Sequence, residues 1–77
     1  MSTRKSYYRI NRNQICFVRF ILEAYEGIAL MRTINAKKGI IEIMTAPGCE
    51  NDVDEILHSL SQSIKMIPIN GEQYNDE

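Results

Sequence analysis

Tryptophan is absent from this chain, histidine occurs once, cysteine and proline twice each, and glycine four times. So little glycine and proline excludes a collagen-like or low-complexity chain. Cys16 and Cys49 stand 33 positions apart, and neither has a second cysteine or a histidine beside it at ligand spacing. That excludes a zinc site and a disulfide framework. Both read as free thiols: Cys16 as a small core residue inside an apolar run, and Cys49, beside a turn, as the more exposed and reactive. Long hydrophobic runs are missing too. The longest, Ile15 to Leu22, is interrupted by Arg19 and is too short to cross a bilayer, and no apolar segment with a cleavage site follows the N-terminus. No membrane partner is expected, and the expected setting is cytoplasmic and reducing. Catalytic groups are equally scarce. His58 is the single histidine and lies off the apolar stripe of its helix, where it reads as a surface residue. No serine has a base and an orienting acid in a recognisable motif, and no glycine-rich phosphate loop is present. The chain reads as a non-enzyme with no cofactor and no metal.

What is present fits an ordinary globular domain: 77 residues, 44% hydrophobic and 25% charged. A chain of this length removes only about 60–65% of its unfolded surface from water, so one domain with a small core is expected. The domain is expected over residues 7–69, with 1–6 and 70–77 as flexible termini. Net charge is −1, which gives no whole-molecule attraction to nucleic acid. Its distribution is uneven: residues 1–38 sum to +6 and residues 39–77 to −7. The expectation is that the two halves neutralise each other within the fold, the alternative being a basic face used for a partner.

Tyr7-Tyr8-Arg9-Ile10 has the aromatic and branched character of a strand. Asn11 then offers a helix cap with Gln14 three residues on, and Ile15, Val18, Leu22 and Tyr25 recur at helical spacing. This predicts a helix over about residues 12–26, ended by Gly27. Ile28 to Ile34 and Ile40 to Thr45 are two strand-like runs joined by Asn35-Ala36-Lys37-Lys38-Gly39 as a hairpin. Ala46-Pro47-Gly48-Cys49 suits a type II turn. A second helix follows on the spacing of Val53, Ile56, Leu57, Leu60 and Ile64, with Asn51 or Asp52 as cap. Met66-Ile67-Pro68-Ile69 is a short final strand, and its proline assigns it to a sheet edge.

Strand, helix, strand, strand, helix, strand is the split βαβ order of an α+β, ferredoxin-like, two-layer sandwich: an antiparallel four-stranded sheet with two helices on one face. The first and third strands are expected at the centre. The face away from the helices should alternate toward polar residues, yet Ile28, Leu30 and Ile34 in one strand, and Ile40 and Met44 in the next, give both faces apolar character. A bare face of this kind exceeds what monomers usually expose. A homodimer through the open sheet face or the edge strands is therefore expected.

Among candidate sites, the second helix start carries its own carboxylates, Glu50, Asp52, Asp54 and Glu55, and would repel an anion. The first helix start carries none. Arg9, Asn11, Arg12 and Asn13 gather there, where free N–H groups, the positive end of a helix dipole and guanidinium groups suit a carboxylate or phosphate. The plainer reading makes Asn11 a cap and the arginines solvated surface. Tyr7 and Tyr8 beside Arg4, Lys5 and Arg9 suggest a base-stacking platform for single-stranded RNA, but Ile40 to Thr45 supplies no matching aromatic, and nucleic acid is the lesser expectation.

The run Glu23-Ala24-Tyr25-Glu26-Gly27, then Thr33-Ile34-Asn35 and Lys38-Gly39-Ile40-Ile41, resembles a family of short bacterial proteins known as a domain of unknown function, number forty-nine eleven. The resemblance covers most of residues 7–69 and implies a stand-alone bacterial domain without an established activity. More distantly the layout is similar to ACT domains, regulatory modules that pair through their sheets and often bind amino acids near the first strand-to-helix loop. Here Asn11-Arg12-Asn13-Gln14 replaces the glycine usual at that loop. The expected function is a non-enzymatic, dimeric, ACT-like regulatory or interaction module binding a small anionic metabolite. The alternative is an RNA-binding module using the basic N-terminal half.

Overall fold

A computed structural model describes residues 3–25 and 27–69. Four strands and two helices follow in the expected order: β1 (Arg4–Arg9), α1 (Ile15–Glu23), β2 (Ala29–Asn35), β3 (Ile40–Thr45), α2 (Glu50–Ser63) and β4 (Ile67–Ile69). The strands form one antiparallel sheet in the order β2-β3-β1-β4, the order of a ferredoxin-like fold. β1 and β3 are central, and Pro68 lies on the β4 edge, where its missing N–H leaves no ladder bond unmade. Among the described residues no helix is long and apolar enough to cross a membrane.

β1 begins at Arg4, earlier than its aromatic residues indicate, because β3 offers Thr45, Met44 and Ile43 as partners to Arg4, Lys5 and Ser6. The expected N-terminal arm is in part strand. Residues 1–2 and the acidic tail 70–77 lie outside the described residues. A single 3-10 turn, Arg12–Gln14, leads into α1. Asn11 is extended, and its Oδ1 accepts the Asn13 N–H at 2.9 Å, so the expected asparagine cap closes the 3-10 turn, while α1 itself starts after Gln14 without a side-chain cap bond. α1 stops at Glu23, and its last turn tightens as Tyr25 N–H bonds Leu22 O at 3.1 Å. The expected end at residue 26 falls on a position outside the described residues. Tyr25 thus lies beyond the helix and is exposed, whereas Ile15, Val18 and Leu22 are buried.

α2 begins one residue before its expected caps. The turn closes with Cys49 N–H to Ala46 O at 3.0 Å and runs straight into the helix at Glu50. Neither Asn51 nor Asp52 caps it. Cys49 takes the cap position without a side-chain bond, and Glu50 Oε1 folds back to accept the Gly48 N–H at 3.1 Å.

Ile41 and Ile43 of β3, with Ala29 and half-buried Met31 of β2, meet Val18 and Leu22 of α1 and Val53, Leu57 and Leu60 of α2. At about 1.5–3 kcal/mol for each large aliphatic side chain, this one layer carries most of the folding drive. Arg19, the charge inside the α1 apolar run, reaches the sheet and donates to Thr33 Oγ1 at 3.2 Å. Cys16 is exposed, against the expectation of a core position: it lies about 100° round the helix from Ile15, on the solvent side.

The outer face departs from the expected greasy surface. Leu30 is 68% exposed and Ile67 42%, but a polar row crosses between them. Arg32 of β2, Glu42 of β3 and Tyr7 of β1 are cross-strand neighbours. The Tyr7 hydroxyl donates to Glu42 Oε2 at 2.7 Å, and Arg32 Nη2 lies 3.1 Å from Glu42 Oε1. That second contact has the distance of an ion pair without the alignment of a hydrogen bond. Glu42 is 1% exposed, as a carboxylate held between strands by a phenol and a guanidinium must be if its burial is to be compensated.

A cationic end of the sheet

Three chain segments converge where β1 leaves the sheet. The first is the β1–α1 junction itself, with Arg9, Asn11 and Arg12. The second is the β2–β3 hairpin loop. There Asn35 Oδ1 accepts the Lys38 N–H at 3.1 Å, and Ile10 N–H donates to Gly39 O at 2.8 Å. Gly39 has φ of 72°, and a Cβ there would overlap the Ile10 carbonyl oxygen. Only glycine lets the loop lie this close to β1. The third is the link from α2 to β4, with Lys65.

Together they line an open depression of about 500 Å³: Arg9, Arg12, Lys37, Lys38 and Lys65 around Ile10, Asn11 and Ile67. All five cations are exposed, no carboxylate among the described residues lines the depression, and the 3-10 turn and α1 carry no acid in their first turns. The positive end of the α1 dipole points the same way. Of the four residues expected from sequence, Arg9, Asn11 and Arg12 share this surface. Asn13 is exposed outside its lining, with its N–H taken by Asn11. Lys37, Lys38 and Lys65 were missed. The expected hairpin and the expected β4 already implied them, since the split topology returns both connections to the end where β1 finishes.

The opposite end is anionic. Glu50 and Asp52 occupy the first turn of α2, followed by Asp54 and Glu55. Ion pairs join Arg4 to Asp54 at 2.8 Å and Arg32 to Glu42. Both pairs join the basic half of the sequence to the acidic half. The charges of the two halves sit mainly at turns and helix ends, and the turns rich in each sign lie at opposite ends of the sheet.

The remaining candidates have simpler settings. Tyr7 and Tyr8 fall on opposite faces, as neighbours on a strand must, so they form no shared stacking platform. Burial pushes the Tyr8 phenol above its usual 10, opposed by the charge of Arg4. The Asp54 carboxylate, hydrogen-bonded to Arg4, raises the guanidinium still further. His58 is exposed, with Gln62 Nε2 3.4 Å from its Nε2. Among the described residues no three His, Cys, Asp or Glu side chains are grouped to hold a metal.

Fold and charge together define a small ferredoxin-like α+β domain with one cationic end. The chain belongs to the family described as Domain of unknown function (DUF4911), whose model matches residues 8–64. No curated protein and no solved structure matches the chain.

Proposed function

We propose that this protein is a non-enzymatic regulatory or interaction module that binds a small metabolite carrying more than one negative charge at its cationic end. The observation that carries the reading is the convergence of five cations from three segments on one depression. Arginine forks and lysine ammonium groups side by side suit phosphate oxygens. In a thermal-shift series, pyrophosphate and triphosphate are expected to raise Tm, in proportion to occupancy, and amino acids to leave it unchanged. The rise should vanish in the double variant Arg12→Glu, Lys65→Glu. A flat response to every polyphosphate overturns the reading.

One observation favours a second reading, single-stranded RNA: the depression is open, and its cations extend from the hairpin loop across β1 to Lys65. Five phosphate contacts give a slope of about −3.5 for log affinity against log salt concentration. Absence of oligonucleotide binding at low salt removes this reading.

Pairing with a second copy belongs to the same proposal. The β2 edge has no neighbouring strand among the described residues and carries exposed Leu30, whereas Pro68 blunts the other edge. The ACT-like reading rests on strand order, and a reducing, cytoplasmic setting is supported by two free thiols. Sedimentation as a single chain at high concentration would overturn the pairing.

A further inference from the structure

The two helices do not close on each other. Between them runs a groove of about 640 Å³, with a floor of Ile21, Tyr25, Ile28, Ile56 and Leu60. α2 forms its polar rim: Asp52 and Glu55 at one end, Ser59 and Ser63 toward the other. No cation lines it. Phe17 continues the α1 wall one turn before Ile21 and is 43% exposed, and Phe20 beside it is 70% exposed. These aromatics are of the residue type that anchors interfaces, and they stand in water here.

We infer that this groove is a docking site for a cationic amphipathic helix of a partner protein. The rim from Asp52 to Ser63 is about 17 Å long, which accommodates roughly three turns of a third helix. Its apolar ridge, spaced i, i+3 or i+4, i+7, lies on the aliphatic floor. Its lysines or arginines meet Asp52 and Glu55. Charge decides against a second copy of this chain as occupant. In a two-fold contact the same rim faces itself, bringing four carboxylates together with no cation in the groove to separate them. The site is independent of the cationic end, and either can fail without the other.

The test uses the full chain and a fluorescein-labelled synthetic helix of about 15 residues with a leucine ridge flanked by lysines. Its twin has glutamate at every lysine. Fluorescence polarisation should show saturable binding of the lysine peptide and at least about tenfold weaker binding of the twin. Asp52→Asn with Glu55→Gln should weaken binding about fivefold. Glu23→Gln with Asp54→Asn removes the same charge at exposed positions outside the groove and should leave affinity within about twofold. Ile56→Lys, confirmed folded by circular dichroism, should abolish binding. The inference is overturned if the lysine peptide fails to bind at about 0.5 mM, or if the outside pair weakens binding as much as the rim pair. It is also overturned if folded Ile56→Lys binds normally, or if a wild-type dimer dissociates in Ile56→Lys while the peptide does not bind.

Discussion

Gly39→Ala tests the contact that assembles the cationic end. At φ of 72° any side chain costs about 1–2 kcal/mol. The added Cβ would also overlap the Ile10 carbonyl oxygen, while lying 3.0 Å from its carbon and 3.5 Å from the Arg12 nitrogen. These are backbone atoms and have no rotamer to change. The hairpin must lift from β1 and stretch the 2.8 Å bond from Ile10 N–H to Gly39 O, a strain of about 1–3 kcal/mol by analogy with overpacking. The total is about 2–5 kcal/mol, against about 4–12 kcal/mol for the whole stability of a chain this long. Gly48→Ala is the internal control: its φ is 87° but nothing lies within 4 Å of the added atom, so only the backbone term of about 1–2 kcal/mol applies. At about 4–8 °C per kcal/mol, Gly39→Ala should lower Tm by about 8–40 °C and Gly48→Ala by about 4–16 °C. Urea titrations followed by far-ultraviolet circular dichroism measure both. If the two variants agree within about 0.5 kcal/mol, the close approach of loop and strand has no energetic content and the reasoning fails.

Three further outcomes follow from burial and pairing. Thr45 is fully buried and its Oγ1 has no hydrogen-bond partner; Thr45→Val should raise stability by about 1 kcal/mol, and a loss in urea titration would mean the hydroxyl is satisfied. Arg32→Ala leaves the buried Glu42 carboxylate without its cation and should cost about 1–3 kcal/mol, whereas Asp54→Asn, at a pair exposed on both sides, should cost about 0–1 kcal/mol. Equal losses would contradict the role of burial. Burial raises the Tyr8 phenol above 10, so the native state holds that proton more tightly than the unfolded chain. Stability should be fully present below pH 10 and fall as pH rises through the native value. Tyr8→Phe should remove that share of the alkaline slope, and an unchanged slope would refute the assignment.

The fold was legible because the chain separates its periods. Val53, Leu57 and Leu60 repeat at helical spacing and are buried, β3 spans the run Ile40 to Thr45, and Pro68 marked the edge strand. Boundaries decided by partners rather than composition were less legible. Arg4 to Ser6 are strand because β3 is long enough to pair them, and α2 starts at Glu50 because the preceding turn delivers the chain there. On the outer face, Glu42 sat in plain view between Ile41 and Ile43, but a single carboxylate in an apolar run does not announce that two neighbouring strands will supply a guanidinium and a phenol opposite it. Arg9, Asn11 and Arg12 could be found as one linear cluster. Lys37, Lys38 and Lys65 join them through the topology, which returns the hairpin loop and the α2–β4 link to the end where β1 finishes, and spacing along the sequence alone does not show it.

The uneven charge distribution of the sequence becomes spatial through topology. In a split βαβ fold each strand or helix carries the chain from one end of the sheet to the other. Residues at consecutive turns therefore alternate ends, and like charges far apart in sequence can meet. Arg9 and Arg12 follow β1, Lys37 and Lys38 follow β2, and Lys65 precedes β4, all at one end. Glu50 and Asp52 follow β3 at the other. Moving one acid from the start of α2 into the hairpin loop would relieve repulsion at both ends, at a scale of about 0.2–1 kcal/mol for each exposed pair. The chain instead keeps five cations together and spends a glycine at φ of 72° to hold two of them in place. Like charges gathered against that repulsion are the physical ground of the proposed anion site, and so the cationic depression, rather than the polar outer face, is where a ligand should be sought first.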